Sequence, residues 1–520
     1  METSINKNHL LIRNTLLLYM RMIITVVISF FTSRLVLNAL GVDDFGINNV
    51  VGGLVAMFSI LSSSLSTATS RFLSYDLGLG NVEQLRSTFS TTVNIHVILA
   101  IIVVVFIEIF GTWFLNNKMT IPIDRVYAAN WVLQCSTISF AISLLSVPYN
   151  AAIIAHERMN VYAVITILDS FLKLFVAIFV LYYHSDRLIL FSILTLLQRI
   201  IVQFCYWLYC KKHLEECVYT TKFDNTKFKS IFSYASWNFV GCTAALMKDQ
   251  GVNVVLNLFC GPAINAARGI AMQINGIVSQ FISNFTVSLN PQIIKEYASK
   301  NFNRLQGLVF YGTRLSFFLF MFISIPLILE IEFVLKVWLG VIPEYTIIFI
   351  RLILILSLVD ILSSSLITAQ LATGNIKLYQ IVIGSIQLLN LPFSYFALKL
   401  GYSPEITIVI ALCISVLSLL LRLLFVHHYI GISIRKFLLN VVCNTLLVSV
   451  LSFSFPCLVH YFLEGGIISF VAVGFTSVIS SLLIIYFIGL SITERKFVNK
   501  KMKSLFFKYI RCNDTIKRKK

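Results

Sequence analysis

Six charged residues sit within or at the edge of apolar stretches: Arg21, Arg34, Lys248, Asp249, Arg268 and Asp360. A charge in hydrocarbon is costly unless it faces a water-filled cavity or a partner, so each is a candidate site residue. Arg21 and Arg34 share the first stretch. Thirteen positions separate them, ~20 Å along a helix and about 140° around it, so they face different strips. Arg21 is the deeper; Arg34 lies near the outer surface, where its stem can snorkel, as can that of Arg268. Lys248 and Asp249 are adjacent and diverge by ~100°, so they cannot simply neutralise each other. At least one of them should face a polar interior. Asp169 and Lys173, spaced i,i+4, read instead as a structural ion pair, while Glu108 and Arg199 stand singly.

Together these charges lean basic. Arg and Lys pair well with phosphate, so a path lined this way favours an anionic passenger. A carrier for cations would show the opposite bias. Asp360 and Asp249 are the acids at which H+ or Na+ could couple to movement. Covalent chemistry has no foothold: the chain has no Gly-Lys-Ser/Thr phosphate loop, no His-Glu-x-x-His and no Gly-x-Ser-x-Gly. The ten cysteines are scattered, with no His pair beside them, and read as small core residues rather than metal ligands. The expectation is a non-enzyme without a cofactor.

The elements that position these residues are long and apolar. Of 520 residues, 58% are hydrophobic and 12% charged, with mean hydropathy +0.86. A span needs ~20 apolar residues to cross ~30 Å of hydrocarbon. About fourteen such segments follow one another: 15–40, 46–70, 88–115, 127–155, 160–183, 188–210, 231–258, 264–289, 306–334, 345–373, 378–399, 405–429, 437–462 and 466–490. The first is too long for a signal-peptide core and has no cleavage site after it, so it reads as a retained span. No loop is long enough to hold a domain for a polar co-substrate, which argues against a membrane glycan polymerase or ligase. The fold class expected is an all-α polytopic membrane protein.

The net charge of +18 would suggest nucleic acid in a soluble protein. Here topology explains it, and no nucleic-acid partner is expected. With the N-terminus inside, about 27 basic residues fall in inner loops and about 5 outside. Both termini are then cytoplasmic. Arg71, Arg86, Arg158 and Lys295 belong to the inner set, and the first outer turn, Gly41-Val42-Asp43-Asp44-Phe45-Gly46, is acidic. The basic tail has the composition to touch anionic lipid.

The chain also repeats weakly. An offset of 220 aligns Gly41 with Gly261, Asn81 with Asn301 and Leu85 with Leu305; one of 217 aligns Ala152 with Ala369, Ala155 with Ala372 and Tyr162 with Tyr379. The division expected is a six-helix bundle at 1–210, a linker at 211–230, a second six-helix bundle at 231–429, two further helices at 430–490 and a tail at 491–520. Two bundles of like orientation place a substrate site between them.

Four stretches resemble the bacterial polysaccharide flippase family of the MATE-related MOP exporter superfamily. They are Val147-Pro148-Tyr149-Asn150-Ala151-Ala152 through His156-Glu157-Arg158-Met159, Lys248-Asp249-Gln250-Gly251 leading to Gly261-Pro262-Ala263-Ile264-Asn265, Leu289-Asn290-Pro291-Gln292, and the acidic outer turn. The resemblance implies a V-shaped pair of MATE-like bundles with a central cleft, in a bacterial inner membrane. It implies a cargo of undecaprenyl-diphosphate-linked oligosaccharide, such as an O-antigen unit, flipped from inner to outer leaflet for surface polysaccharide synthesis beside polymerase or ligase machinery. Lys248, Arg21 and Arg268 are then candidates to engage the diphosphate. Drug-exporting relatives commonly carry an Asp in the first span; this chain has none there. A cation-coupled drug or metabolite antiporter on the same fold remains the alternative.

Overall fold

The computed structural model describes residues 2–119, 121–219, 224–339, 342–463, 466–491, 494–496 and 499, with the backbone alone for 2–12, 42, 56 and 262. Among the described residues there are helices and no strands. The N-terminal half holds α1 (Glu2–Ala56), α2 (Ser59–Leu79), α3 (Val82–Phe106), α4 (Thr112–Lys118), α5 (Val126–Ala155), α6 (Met159–Leu181) and α7 (Arg187–His213). The C-terminal half holds α8 (Asn225–Ala298), α9 (Phe302–Leu339), α10 (Thr346–Ile361), α11 (Ser364–Thr373), α12 (Lys377–Leu388), α13 (Asn390–Lys399) and α14 (Ile406–Ile430). Three more follow: α15 (Ile434–Phe437), α16 (Asn444–Phe462) and α17 (Ile467–Ile484). The linker expected at 211–230 contains the end of α7 and the start of α8. Most of the basic tail lies outside the described residues.

Among the described residues, eleven helices are long and apolar enough to cross a membrane, or twelve if Asp43–Val55 and Ser59–Leu79, bent by 48°, form one span. The chain is therefore an all-helical, multi-pass membrane protein. The two further spans expected lie in α8, which is not among the eleven. Its 74 residues would extend about 110 Å if straight, at ~1.5 Å per residue. Each arm on either side of Gly261 has spanning length, yet Lys248, Asp249, Gln250 and Asn253 dilute the first and Asn265, Arg268, Gln273 and Asn275 the second.

Helix ends follow local chemistry. Asn81, Asp186 and Asp224 cap α3, α7 and α8 by accepting from first-turn backbone N–H groups. The breaks inside α1 and α8 need glycine: Gly41 has φ 76° and ψ 175°, Gly261 φ 80° and ψ 179°. That region is closed to residues with a Cβ. The two positions are those aligned by the 220 offset. Two further left-handed sites also pair under the offsets, Gly80 (φ 71°) with Lys300 (φ 56°) and Glu157 (φ 58°) with Gly374 (φ 80°). The repeat thus reappears as backbone geometry.

Buried apolar clusters mostly stay within one half. One, around Val51, Leu133 and Val180, belongs to the N-terminal half; another, around Phe320, Phe349 and Leu354, belongs to the C-terminal half. A cluster joining the halves packs Leu65, Ala68 and Ile95 on Ile231, Tyr234 and Ala235. The last helices dock on α9: Val448 and Val473 enter the core of the C-terminal half. Buried Glu330 of α9 accepts from His460 Nδ1 (2.8 Å) and Ser469 Oγ (2.6 Å).

Candidate functional site

Four of the six sequence candidates converge. The two arms of α8 bring Lys248, Asp249 and Arg268 together, and α10 adds Asp360, around a cavity of about 100 Å³ also lined by Asn275, Ser357 and Asn390. Lys248 is buried; its Nζ donates to Ser415 Oγ at 3.3 Å and lies 3.7 Å from Asp360 Oδ2. The Lys248–Asp249 neighbours do diverge: Lys248 finds its carboxylate on α10, while the backbone carbonyl of Asp249 accepts from Arg268 Nη2 at 3.3 Å. Arg268 is 6% exposed, and its Nε and Nη1 have no partner among the described residues. This is a compact polar site inside the C-terminal half.

Arg21 and Arg34 are not part of it. Arg21 donates through Nη2 to Asn284 Oδ1 at 2.6 Å and sits 4.9 Å from the ring centre of Tyr162. It therefore bridges α1 to the second arm of α8. Arg34 is exposed, with no partner among the described residues. The arrangement does not place Lys248, Arg21 and Arg268 around one point.

Arg21 belongs to a seal between the halves. Thr15 and Ser288 hydroxyls meet at 2.9 Å, Ser64 Oγ donates to the Ala235 carbonyl at 2.8 Å, and Arg71 Nη2 donates to the Ala372 carbonyl at 2.9 Å. Glu157 takes Lys295 Nζ at 2.7 Å and Gln292 Nε2 at 3.0 Å. All these bonds lie in the half of the molecule away from Gly41 and Gly261. Here α2 and α8 approach so closely that a Cβ on Gly78 would stand 2.9 Å from the Lys295 backbone.

Sequence reasoning assigned Arg71 and Lys295 to inner loops. The structure places both in helices, with Arg71 buried and its guanidinium 4.6 Å from the rings of Phe72 and Tyr75. Aromatic residues spaced one and four from an arginine were the available signal. Just outside the seal, His156 Nε2 meets Glu216 Oε1 at 2.5 Å. Burial acts to raise the Glu216 carboxyl, but the hydrogen bond and charge of His156, a backbone hydrogen bond and the charge of Arg158 together outweigh it and hold it below its usual range.

The N-terminal half has a second polar region. Asp169 pairs with Lys173 at 2.7 Å, as the i,i+4 spacing predicts. Arg199 from α7 adds a second cation at 3.7 Å, and Gln198 Nε2 donates to the same carboxylate. At the opposite end, Arg125 is held between Asp44 and Asp186. Among the described residues no group of acids, histidines and cysteines has the arrangement of a metal site.

No protein-family model and no curated protein matches this sequence. Solved structures do. A MATE transporter crystallised in complex with MaD3S aligns with TM-score 0.70 at 15% identity, over 82% of this chain and 96% of that one. A MOP superfamily transporter from Pyrococcus furiosus, described as having a binding pocket of reverse polarity that suggests a different function, aligns with TM-score 0.70 at 13% identity over the same shares. An outward-facing multidrug resistance MATE transporter aligns with TM-score 0.68 at 14% identity, again over the same shares. The chain has the fold of MATE transporters.

Proposed function

We propose that this protein is an exporter working by alternating access, and that its passenger is a lipid-linked oligosaccharide whose diphosphate is drawn by uncompensated cations. The observation that carries this reading is the imbalance of pairing inside the membrane helices. Among the described residues, the carboxylates of Asp169, Glu330 and Asp360 each face a cation or an imidazole, and those of Asp249 and Glu108 have no ion-pair partner. On the cationic side, Lys173 and Arg199 share one carboxylate, Arg34 is exposed without a partner among the described residues and Arg268 keeps two unused donor nitrogens. Desolvated guanidinium groups with free donors favour phosphate oxygens over cationic drugs. Alternating access requires only that the passenger bind the two states with different affinity, by a few kcal/mol.

The seal lies at the end that basic loops assign to the cytoplasm, so the state described faces outward. Headgroup sugars would leave through the open side while the lipid tail stays in the bilayer. The share of the chain aligned with the transporters leaves a remainder about as long as the chain after Ile430, which fits a pair of added helices packed on α9.

The alternative, a cation-coupled drug or metabolite antiporter, draws support from the multidrug resistance transporter among the structural neighbours and from half-exposed Asp360 beside Lys248. Proteoliposomes distinguish the two. Accessibility of a fluorescent undecaprenyl-diphosphate sugar to an external quencher should rise with the protein present and fall several-fold with Arg34→Gln or Arg21→Met. Equal rates with and without the protein would sink the flippase reading; drug efflux that follows an ion gradient and stops in Asp360→Asn would establish the alternative.

A further inference from the structure

We propose that the N-terminal half carries its own binding site for a small hydroxylated monoanion, a sugar acid in chemical class. A cavity of about 420 Å³ opens between α1, α5, α6 and α7, within the ~300–1,000 Å³ range of small-molecule sites. Its wall carries Thr32, Asn48, Ser136, Ser139, Ser143 and Thr195, with Lys173 and Arg199 at one side. These hydroxyl and amide groups stand among Val36, Val55, Phe140, Val176 and Phe191, a mixed wall that suits a ligand with both hydrogen-bonding groups and an apolar face.

Charge and orphaned atoms narrow the class. Lys173 and Arg199 share a single carboxylate, Asp169, which leaves one positive charge uncompensated. Both cations are reachable, with side chains 43% and 37% exposed. Gln198 lines the cavity at 2% exposure; its Nε2 is spent on Asp169, and its Oε1 has no partner among the described residues. A buried acceptor without a donor costs free energy, and this one has almost no accessible surface, so a ligand hydroxyl recovers that cost once the Gln198 side chain turns toward the cavity. The anion balances the cation pair, and the hydroxyls meet the serine wall. A bare carboxylate leaves that wall unmet; a neutral sugar leaves the charge unmet.

The test uses the purified full chain in detergent with Ser139→Cys as reporter, alkylated by a small maleimide and read by peptide mass spectrometry. Galacturonate should slow labelling at position 139 several-fold, while galactose and acetate at the same concentration should not. Arg199→Gln and Lys173→Met should each abolish the protection and Arg199→Lys should retain it, with labelling of buried Cys210 as the check that each variant is folded. If one variant exposes Cys210, the other decides. Equal protection by galactose, equal protection by acetate, or no protection by galacturonate would each overturn the proposal.

Discussion

At the scale of single residues, the burial of Lys248 sets what its partner must do. Removing one member of a buried pair leaves the other charge desolvated and unpaired, which is worse than removing both. Asp360 is 42% exposed, which moderates the effect. Asp360→Asn should therefore lower stability by about 1–3 kcal/mol, and Lys248→Met in the same chain should restore most of it. Thermal unfolding of the two single variants and the double variant measures this; strictly additive losses would show that the pair is not coupled. A second prediction concerns pH. Because Glu216 has a depressed carboxyl in the folded chain, its contribution is fully present above its usual value of 4.5 and is lost as the pH falls below it. Protection of residues 214–217 against hydrogen exchange, taken relative to the intrinsic rate at each pH, should fall from pH 6 to 4, and His156→Ala should show that lower protection already at pH 6. Protection that ignores pH would exclude the His156–Glu216 contact as what orders this turn.

At the scale of elements, the two long broken helices make matched demands on one residue type. Gly41 and Gly261 share a backbone conformation that a Cβ disfavours, at a cost of order 1–3 kcal/mol. Gly41→Ala and Gly261→Ala should thus destabilise by similar amounts in thermal unfolding, though neither glycine has an atom near enough to clash with the added carbon. Unequal losses would mean that surroundings, rather than backbone strain, dominate. This pairing was legible in the chain as an offset of 220, since a glycine that must break a helix leaves its mark on sequence. The spans were legible for the same kind of reason: hydrocarbon imposes apolar composition on any helix exposed to it. Both arms of α8 were expected as spans, and the polar residues that keep them out of the eleven stand in the sequence, but where those residues point was not readable. That depends on which helix packs opposite, as with Lys248 meeting Asp360 from α10. The cation pair of the N-terminal cavity was missed likewise. Asp169 and Lys173 looked complete as an i,i+4 pair, and only packing of α7 on α6 adds Arg199 and Gln198.

At the scale of the molecule, the seal between halves is the contact that the proposed alternating access must break. It is held by few polar bonds and a close helix approach, and it can be perturbed from either side. Thr15→Cys with Ser288→Cys, whose native hydroxyls stand 2.9 Å apart, should cross-link under oxidation and arrest flipping in proteoliposomes, with recovery on reduction. Gly78→Leu should act in reverse. Its side chain has no room against Lys295 and Ala298, so it should prop the seal open and raise labelling of Ser288→Cys by a water-soluble thiol reagent. Cross-linking without loss of flipping would mean that this contact does not part during turnover.

The left-handed turn shared by Glu157 and Gly374 carries a consequence for how such a chain comes to differ from its own copy. One copy keeps the residue that costs nothing in that conformation; the other holds a strained glutamate whose side chain reaches Lys295 and Gln292. Two related turns thus serve as a free hinge in one half and a bolt in the other, where backbone strain accompanies a grip on the opposite half. Glycine at position 157 would release the strain and the grip together, so its net effect on stability understates what the bolt contributes. The difference between the alanine and glycine variants at 157 is the quantity that separates the two.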